Sequence, residues 1–518
     1  MIFSSYIFVL GFLPITIYLY YVTGNKFGGR PAVSILVIAS IVYYGWWNPA
    51  FTWIILISIL FNYSLGTILS KDTASGQARK MVLIVGVFAN LGGLGYFKYA
   101  NFLTDAVNGT FGSDFTLERI TLPLAISFFT FQQIAYIVDS YRGLVRESNF
   151  LSYCLFVTFF PQLIAGPIVH HKEMMPQFAT SVSRRVTARN LSIGMTMFSI
   201  GLFKKLLIAD NLSGFADNVF ELAANNDVTV LEAWLGALAY TGQIYFDFSA
   251  YSDMAIGVAR IFGIRLPVNF LSPYKAASII DFWRRWHMTL SRFLRDYVYF
   301  SLGGNRKGPS RRLVNIMLTM LIGGLWHGAA WTFVFWGGLH GAFLIINHGW
   351  RDLRSRLGLT RPSSFGLLTG QAMTFVCVTI AWVFFRAPTF DVAFGIVKGM
   401  FGFNGLVLPG SFESRLGGMA TALADLGIAF GNPGAFTTMG ALYVGSALMI
   451  AWFLPNTYEI MRRYQPILQS AEILKEISFA ARFIRWTPTL VWAVYVAALL
   501  LISLVYMGGH QKFLYFDF

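Results

Sequence analysis

The sequence predicts an all-α membrane protein in which many spans form one helical bundle. Of its 518 residues, 56% are hydrophobic and 17% are aromatic, whereas only 12% are charged. A typical soluble domain has about 25% charged residues, so this composition excludes an ordinary soluble enzyme. The net charge of +15 comes from short basic clusters between apolar stretches, which indicates topology signals rather than a nucleic-acid-binding face.

Apolar stretches of the length of a membrane span recur along the whole chain. A span needs ~20 residues, since a helix rises ~1.5 Å per residue through a hydrocarbon layer of ~30 Å. We predict crossings at residues 2–22, 32–47, 51–69, 81–97, 121–138, 191–209, 233–262, 373–385, 439–454 and 490–505, with two more between 313 and 350. The chain is therefore predicted to be one domain of twelve spans, with a motif-bearing core at 1–386 and C-terminal spans at 387–518.

The loops between these spans alternate in charge. Those around Lys26, Lys71 and Arg142 are basic, whereas the loop 98–119 carries three acidic residues. Basic loops stay in the cytoplasm, so both termini are predicted to be extracytoplasmic. The stretch 151–169 is broken by prolines and lies between two basic segments, so we predict that it is re-entrant or interfacial rather than a crossing.

Residues 313–350 contain no Lys, Arg, Asp or Glu but carry three histidines, His327, His340 and His348. The length predicts a tight helical hairpin with both ends on the basic side, which places His327 near the apex, ~20 Å below that boundary. An ionisable side chain at this depth is costly and usually faces a bundle interior or a water-filled cavity, so His327 is a candidate functional residue. The alternative is a neutral imidazole hydrogen-bonded between helices, with glycines that only allow close packing.

Two carboxylates, Asp247 and Asp253, lie inside the aromatic stretch 233–262. A buried acid in lipid needs a partner, so each is expected either to cap a broken helix or to pair with a nearby cation. Together with Tyr251 and Trp326, these two acids are predicted to line a tunnel through the bundle.

The longest cytoplasmic segment, 263–312, is predicted to contain an amphipathic helix. Its apolar face consists of aromatic residues at helical spacing, Phe282, Trp286, Phe293 and Tyr297. Its basic residues are Arg284, Arg285, Arg292, Arg295, Arg306 and Lys307, with Asp281 and Asp296 as local counter-charges. Guanidinium groups suit a phosphate-rich donor that approaches from the cytoplasm. The alternative is that the helix lies on anionic lipid headgroups.

Several longer motifs occur in an order that resembles a known family. They are Phe-Lys-Tyr-Ala-Asn101, Phe-Phe-Pro-Gln-Leu-Ile-Ala-Gly-Pro167, Tyr-Phe-Asp-Phe-Ser249, Trp-Arg-Arg-Trp-His287, Ser-Leu-Gly-Gly-Asn-Arg306 and Gly-Gly-Leu-Trp-His327-Gly. Together they resemble the membrane-bound O-acyltransferase superfamily. Within it, the chain is most similar to the AlgI-like membrane subunits of alginate O-acetylation and to their cellulose-acetylating and D-alanyl-transferring relatives. The resemblance covers residues 1–386.

The resemblance implies an O-acyltransferase of the bacterial inner membrane that uses acetyl-CoA as donor, with no bound cofactor and no metal. The histidine of the family's Trp-His-Gly motif is its catalytic candidate and corresponds to His327, and the family's cytoplasmic-side histidine corresponds to His287. The implied partner is a periplasmic or membrane-anchored acetyltransferase, which passes the acetyl group to an alginate- or cellulose-like polysaccharide. Peptidoglycan and teichoic acid are the alternative polymers.

An imidazole suits acyl transfer, because an unperturbed pKa of ~6.5 lets it take the proton of an attacking hydroxyl near neutral pH. Two other classes of protein stay open. A transporter would also bury acids and histidines, although no internal repeat is visible in the sequence. A metal-dependent hydrolase would use His327, His340 and His348, although spacings of thirteen and eight residues do not bring them to one helix face.

Overall fold

The computed structural model of the protein describes residues 1–71, 75–146, 149–180, 187–359, 363–475, 478–508 and 514. Within these residues the chain is mostly helical, and its strands are one short parallel pair, β1 (Leu406–Pro409) and β2 (Ile428–Gly431). The helical fold class predicted from composition is therefore confirmed for the described part of the chain.

The first half of the chain forms twelve α-helices among the described residues. These are α1 (Leu13–Phe27), α2 (Gly29–Gly45), α3 (Thr52–Ser70), α4 (Gly76–Leu94), α5 (Ala100–Phe111), α6 (Ile126–Tyr141), α7 (Phe150–Thr158), α8 (Phe160–Leu163), α9 (His171–Thr180), α10 (Ala188–Phe203), α11 (Asp210–Leu222) and α12 (Val230–Ile261). Three π-helical segments extend or join them, Ile7–Phe12, Gly95–Tyr99 and Lys204–Ala209, so that α4 continues into α5 and α10 into α11.

The second half holds the remaining described helices. These are α13 (Ile279–Trp283), α14 (Met288–Phe293), α15 (Pro309–His327), α16 (Trp331–Arg356), α17 (Ser364–Arg386), α18 (Phe390–Met400), α19 (Gly410–Leu416), α20 (Gly418–Asp425), α21 (Thr438–Phe453), α22 (Thr457–Ile460), α23 (Ser470–Ile473) and α24 (Leu490–Tyr506). A π-helical segment, Leu294–Tyr299, follows α14, and short 3-10 turns lie at Pro49–Phe51, Pro273–Lys275, Arg462–Tyr464 and Ala480–Arg482.

Five helical stretches among the described residues are long and apolar enough to cross a membrane. They are Ile7–Phe27, Pro49–Ser70, Gly76–Phe111, Ala188–Leu222 and Ser364–Arg386. Each overlaps a predicted span, and the shorter apolar helices α2, α21 and α24 overlap three more. The structure thus supports a multi-pass membrane protein, whereas the number of twelve crossings and the orientation of the termini stay predictions.

The long helix α12 lies at the centre of the bundle. It runs unbroken for 32 residues and is buried along nearly its whole length. It packs against α10, α11, α17, α18 and α21, so apolar clusters form on both of its sides. Because α12 is continuous, its two carboxylates do not cap a broken helix.

Helices α15 and α16 form the predicted hairpin, with residues 328–330 at the turn. The two backbones touch at Gly324 and Gly337. A Cβ atom on Gly324 would collide with the carbonyl oxygen of Phe333, and one on Gly337 would collide with that of Met320. Only glycine permits this approach, and small residues are what allow membrane helices to pack so closely. The contact fixes His327, the last residue of α15, at the closed end of the hairpin.

The predicted amphipathic helix of the cytoplasmic segment is broken, and in this respect the prediction is wrong. Helix α13 ends at Trp283 and α14 begins at Met288, because the backbone of His287 adopts a left-handed conformation with φ of 41°. Phe282, Trp286 and Phe293 are nevertheless buried, as expected for an apolar face. The break turns the chain so that these rings enter two different apolar clusters.

Candidate active site

His327 is enclosed by aromatic rings at the apex of the hairpin. Its side chain is only 4% exposed. The imidazole centroid lies 5.1 Å from the ring of Trp336 and 5.2 Å from that of Phe385, and both contacts are edge to face. Trp326, the preceding residue, closes a further side at 5.0 Å. The predicted location of His327, buried in the bundle at the hairpin apex, agrees with the structure.

His287 meets His327 inside the bundle. It is fully buried, and its ring centroid lies 6.4 Å from that of His327. Phe248 of α12 supports the ring edge to face at 4.8 Å. The sequence predicted a residue on the cytoplasmic side, whereas the break between α13 and α14 lets the imidazole reach the interior. The two histidine candidates therefore belong to one site.

Asn269 holds the strained turn that carries His287. The amide N–H of Met288 donates to the Asn269 carbonyl oxygen at 3.0 Å. The Thr289 hydroxyl donates to Asn269 Oδ1 at 2.6 Å, and the amide N–H of Ile168 donates to the Thr289 hydroxyl oxygen at 2.9 Å. A left-handed non-glycine residue is costly unless its surroundings fix it, and these bonds do so. Through Ile168, the stretch 163–168 therefore helps to hold the turn at His287 in place.

His340 lies on α16, further from the hairpin apex than His327. It is fully buried, and its Nδ1 accepts a hydrogen bond from the indole N–H of Trp283 at 3.3 Å. This bond links the cytoplasmic segment to the hairpin. His348, the third histidine of the hairpin, is half-buried nearer to the basic end. Among the described residues, no three His, Cys, Asp or Glu side chains are grouped so that they could hold a metal ion.

A cavity of about 120 Å³ opens beside His327. Its lining combines Trp326 and His327 with residues next to four other helices. These are Trp47 after α2, Lys98 after α4, residues 122–128 at the start of α6 and Ile164 after α8. Trp47 and residues 122–128 adjoin the loops that charge patterning assigns to the extracytoplasmic face. On this predicted topology, the cavity lies on the side of His327 that is opposite to the segment 263–312.

Lys98 and Tyr99 cover the carbonyl end of α15. The Lys98 ammonium lies 2.5 Å from the Trp326 carbonyl oxygen and 3.2 Å from that of His327. The Tyr99 hydroxyl donates to the Leu325 carbonyl oxygen at 2.9 Å. The sequence predicts Lys98 at the start of an outer loop, whereas the helix continues through it as the segment Gly95–Tyr99 and its side chain points inward. The family motif that ends at Asn101 contains Lys98 and Tyr99, but it does not indicate that they bind the end of α15.

The acids of α12 are paired with two lysines that the sequence analysis did not single out. Asp253 lies 2.7 Å from the Lys204 ammonium and accepts a hydrogen bond from the Thr457 hydroxyl at 2.6 Å. Asp247 lies 2.7 Å from Lys205. Pairing with nearby cations, one of the two predicted alternatives, is therefore what the structure shows.

The four residues that are predicted to line a tunnel fall into two groups. Trp326 lines the cavity beside His327. Asp247 and Asp253 are held in their ion pairs, and Tyr251 stacks on Phe3 with ring centroids 4.8 Å apart. These three residues are not among those that line the cavity.

The predicted donor-binding residues differ in whether they form an ion pair within the protein. Arg285 pairs with Asp281 at 2.9 Å, and Arg295 pairs with Asp296 at 2.7 Å. Arg292 binds Glu173 through two hydrogen bonds of 2.5 and 2.9 Å, a partner distant in sequence. The three others, Arg284, Arg306 and Lys307, are exposed, and no ion pair involving them is seen within the described ranges. Of the six predicted donor-binding residues, these three are therefore exposed and outside the ion pairs that the structure shows.

This fold and site are those of an integral-membrane acyltransferase, and comparison with known proteins identifies the family. The sequence pattern of the membrane-bound O-acyltransferase family matches residues 41–387, so the chain belongs to that family. Peptidoglycan O-acetyltransferase of Helicobacter pylori is 43% identical over 435 residues, which cover 79% of this chain and 81% of that protein.

Two further relatives differ in the reaction that their names describe. Probable alginate O-acetylase AlgI of Pseudomonas putida is 38% identical over 525 residues, which cover 100% of both chains. Teichoic acid D-alanyltransferase of Bacillus subtilis is 31% identical over 278 residues, which cover 52% of this chain and 69% of that protein. The chain is accordingly an O-acyltransferase.

Proposed function

We propose that the protein moves an acetyl group from cytoplasmic acetyl-CoA to a hydroxyl acceptor that reaches His327 from the opposite face of the membrane. The observation that supports this most is that His287, carried by the segment 263–312, lies beside His327, which lines a cavity. In the predicted topology the segment and the cavity belong to opposite faces. Donor and acceptor would thus approach one buried site from two faces.

His327 would act as the general base of this reaction. Its imidazole takes the proton of the acceptor hydroxyl as the oxygen attacks the thioester carbonyl. The carbon–sulfur bond breaks, CoA leaves as the thiolate, and the proton from the imidazole is passed to it. The products are the acetyl ester and free CoA thiol. The aromatic rings around His327 leave it only 4% exposed, which limits hydrolysis of the thioester.

The immediate acceptor would be a periplasmic or membrane-anchored acetyltransferase that relays the acetyl group to an exopolysaccharide. The full-length similarity to probable alginate O-acetylase AlgI favours an alginate-like polymer. Peptidoglycan is the second candidate, because the Helicobacter pylori relative has the higher identity over a shorter region. To separate the two candidate polymers, ester-linked acetyl groups are counted on each. The count is made in a strain that lacks this gene and in the same strain after the gene is restored.

The acyl-transfer step is tested in inside-out membrane vesicles from the deletion strain expressing the protein. Radiolabelled acetyl-CoA is supplied outside, on the cytoplasmic face. We expect release of CoA thiol coupled to label incorporation into polymer, and loss of both in His327→Ala at equal protein level. His348→Ala is the matched control, because His348 lies on the same hairpin away from the site. Retained activity in His327→Ala would contradict the proposal.

A further inference from the structure

The carbonyl end of α15 points into the interior of the bundle. The last four carbonyls of a helix have no partner within it, and the helix dipole adds about half a negative charge there. In α15 these groups belong to Gly324, Leu325, Trp326 and His327. An unsatisfied carbonyl at membrane depth is expensive, so a donor from another element is required.

Lys98 and Tyr99 supply those donors from one short π-helical segment. The Lys98 ammonium reaches the carbonyl oxygens of Trp326 and His327, and Tyr99 reaches that of Leu325. The third contact of the ammonium is the Ser127 hydroxyl at 3.4 Å. Three successive carbonyls are thus satisfied from the segment Gly95–Tyr99, and the donor capacity of Lys98 is used within the protein.

The cap that Lys98 and Tyr99 form on α15 differs from an ordinary helix cap in its location. Lys98 lines the same cavity as His327, and its ammonium lies 5.8 Å from the centre of the Trp326 ring. The Lys98 side chain therefore binds the backbone of both Trp326 and His327, which form the inner end of the cavity. A shift of the cap would move the imidazole relative to an acceptor in the cavity, and misplacement by ~1 Å can lower a rate about a hundredfold.

We propose that Lys98 is a positioning residue for acyl transfer, which holds the end of α15 and so fixes the His327 imidazole in the cavity. This inference rests on the proposed role of His327 as base. Lys98 acts through His327 and does not itself contact the donor, which approaches from the other face. Its loss should therefore lower the turnover number and leave the KM for acetyl-CoA unchanged.

The test uses variants at Lys98 in the vesicle assay, with activity expressed per folded molecule after detergent gel filtration. Lys98→Met removes the charge-assisted bonds and should lower kcat about tenfold to a hundredfold. Lys98→Arg should restore most of the activity, because a guanidinium also donates to two carbonyls. If Lys98→Met is not recovered folded, Lys98→Gln takes its place with the same expectation.

Two controls complete the design. Lys26→Met removes an exposed lysine of the cytoplasmic side and should leave kcat and KM unchanged. His327→Ala, assayed in parallel, separates the two hypotheses. An inactive His327→Ala together with normal kcat in Lys98→Met would overturn the role of Lys98 alone, as would a raised KM for acetyl-CoA or an Arg variant no better than Met. An active His327→Ala would instead overturn the proposed function.

Discussion

The imidazole rings of His287 and His327 lie 6.4 Å apart, centroid to centroid, with their planes inclined at 60°. One residue belongs to the basic segment 263–312 and the other to the apex of a buried hairpin. Their approach depends on the left-handed backbone of His287, which ends the continuous helix expected there. The relationship gives His287 a location beside the proposed base, where it can orient the donor's acyl end.

We expect His287→Gly to lower kcat at least tenfold while the protein stays folded. Glycine adopts φ of 41° without strain, so this variant removes the imidazole and keeps the turn. His287→Ala removes the same ring but adds backbone strain, and should be both inactive and less stable. Turnover and thermal unfolding in detergent are measured for both variants. Full turnover in His287→Gly would show that the imidazole has no part in the reaction.

Alanine at Gly324 or Gly337 should force the hairpin open. The added Cβ would meet a backbone carbonyl oxygen, which cannot move without shifting the facing helix. Overpacking of this kind costs roughly 1–3 kcal/mol, and it should lower both the unfolding temperature and the activity.

Gly338→Ala is the matched control on the same helix. There a Cβ would lie 3.6 Å from Leu321 Cδ2, an ordinary contact, so stability should stay the same or rise slightly. Equal unfolding temperatures for the Gly324 and Gly338 variants would mean that the hairpin contact is not tight.

Among the basic residues, Arg284, Arg306 and Lys307 should determine the affinity for acetyl-CoA. Replacing any one by Gln should raise the apparent KM about tenfold, which corresponds to the loss of one charge-assisted bond. Arg292→Gln should instead reduce the amount of folded protein, because it leaves the largely buried Glu173 without its guanidinium. Glu173→Gln combined with Arg292→Gln should recover folding. Unchanged KM values at the three exposed positions would assign them to lipid headgroups.

The orientation in the membrane is tested by cysteine labelling in a background that lacks Cys154 and Cys377. Single cysteines at Asp114 and Ser411 should react with an impermeant reagent in intact cells. Cysteines at Lys307 and Gln469 should react only after the membrane is opened. The reverse pattern would invert the topology and with it the direction of acetyl transfer.

The positions of the helices were largely predictable because their signal is local. Apolar stretches of span length determined where helices such as α3, α12 and α24 lie, and the uncharged length of 313–350 indicated a hairpin. Glycine and tryptophan beside a buried histidine also located one half of the candidate site. In each case the information is carried by neighbouring residues in the chain.

The features that escaped prediction depend on contacts distant in sequence. A lysine at the end of an apolar stretch normally marks the membrane boundary, so nothing local distinguishes Lys98, which turns inward to cap α15. Lys204 and Lys205 stand within an apolar run, and Asp253 and Asp247, which pair with them, lie on α12, although Lys205 also pairs with the nearby Asp210. The turn at His287 contains neither Gly nor Pro, and it is Asn269 that stabilises it.

The contact between Gly324 and Gly337 has a consequence for how the enzyme could be adapted to new acceptors. Because the hairpin tolerates no added side chain at that point, it offers almost no scope for redesign. The wall of the cavity that residues 122–128 form includes Leu122 and Leu124, whose half-buried side chains are positions for larger or smaller ones. Engineering of polymer selectivity should therefore start on that wall, with the base and its supporting glycines left as they are.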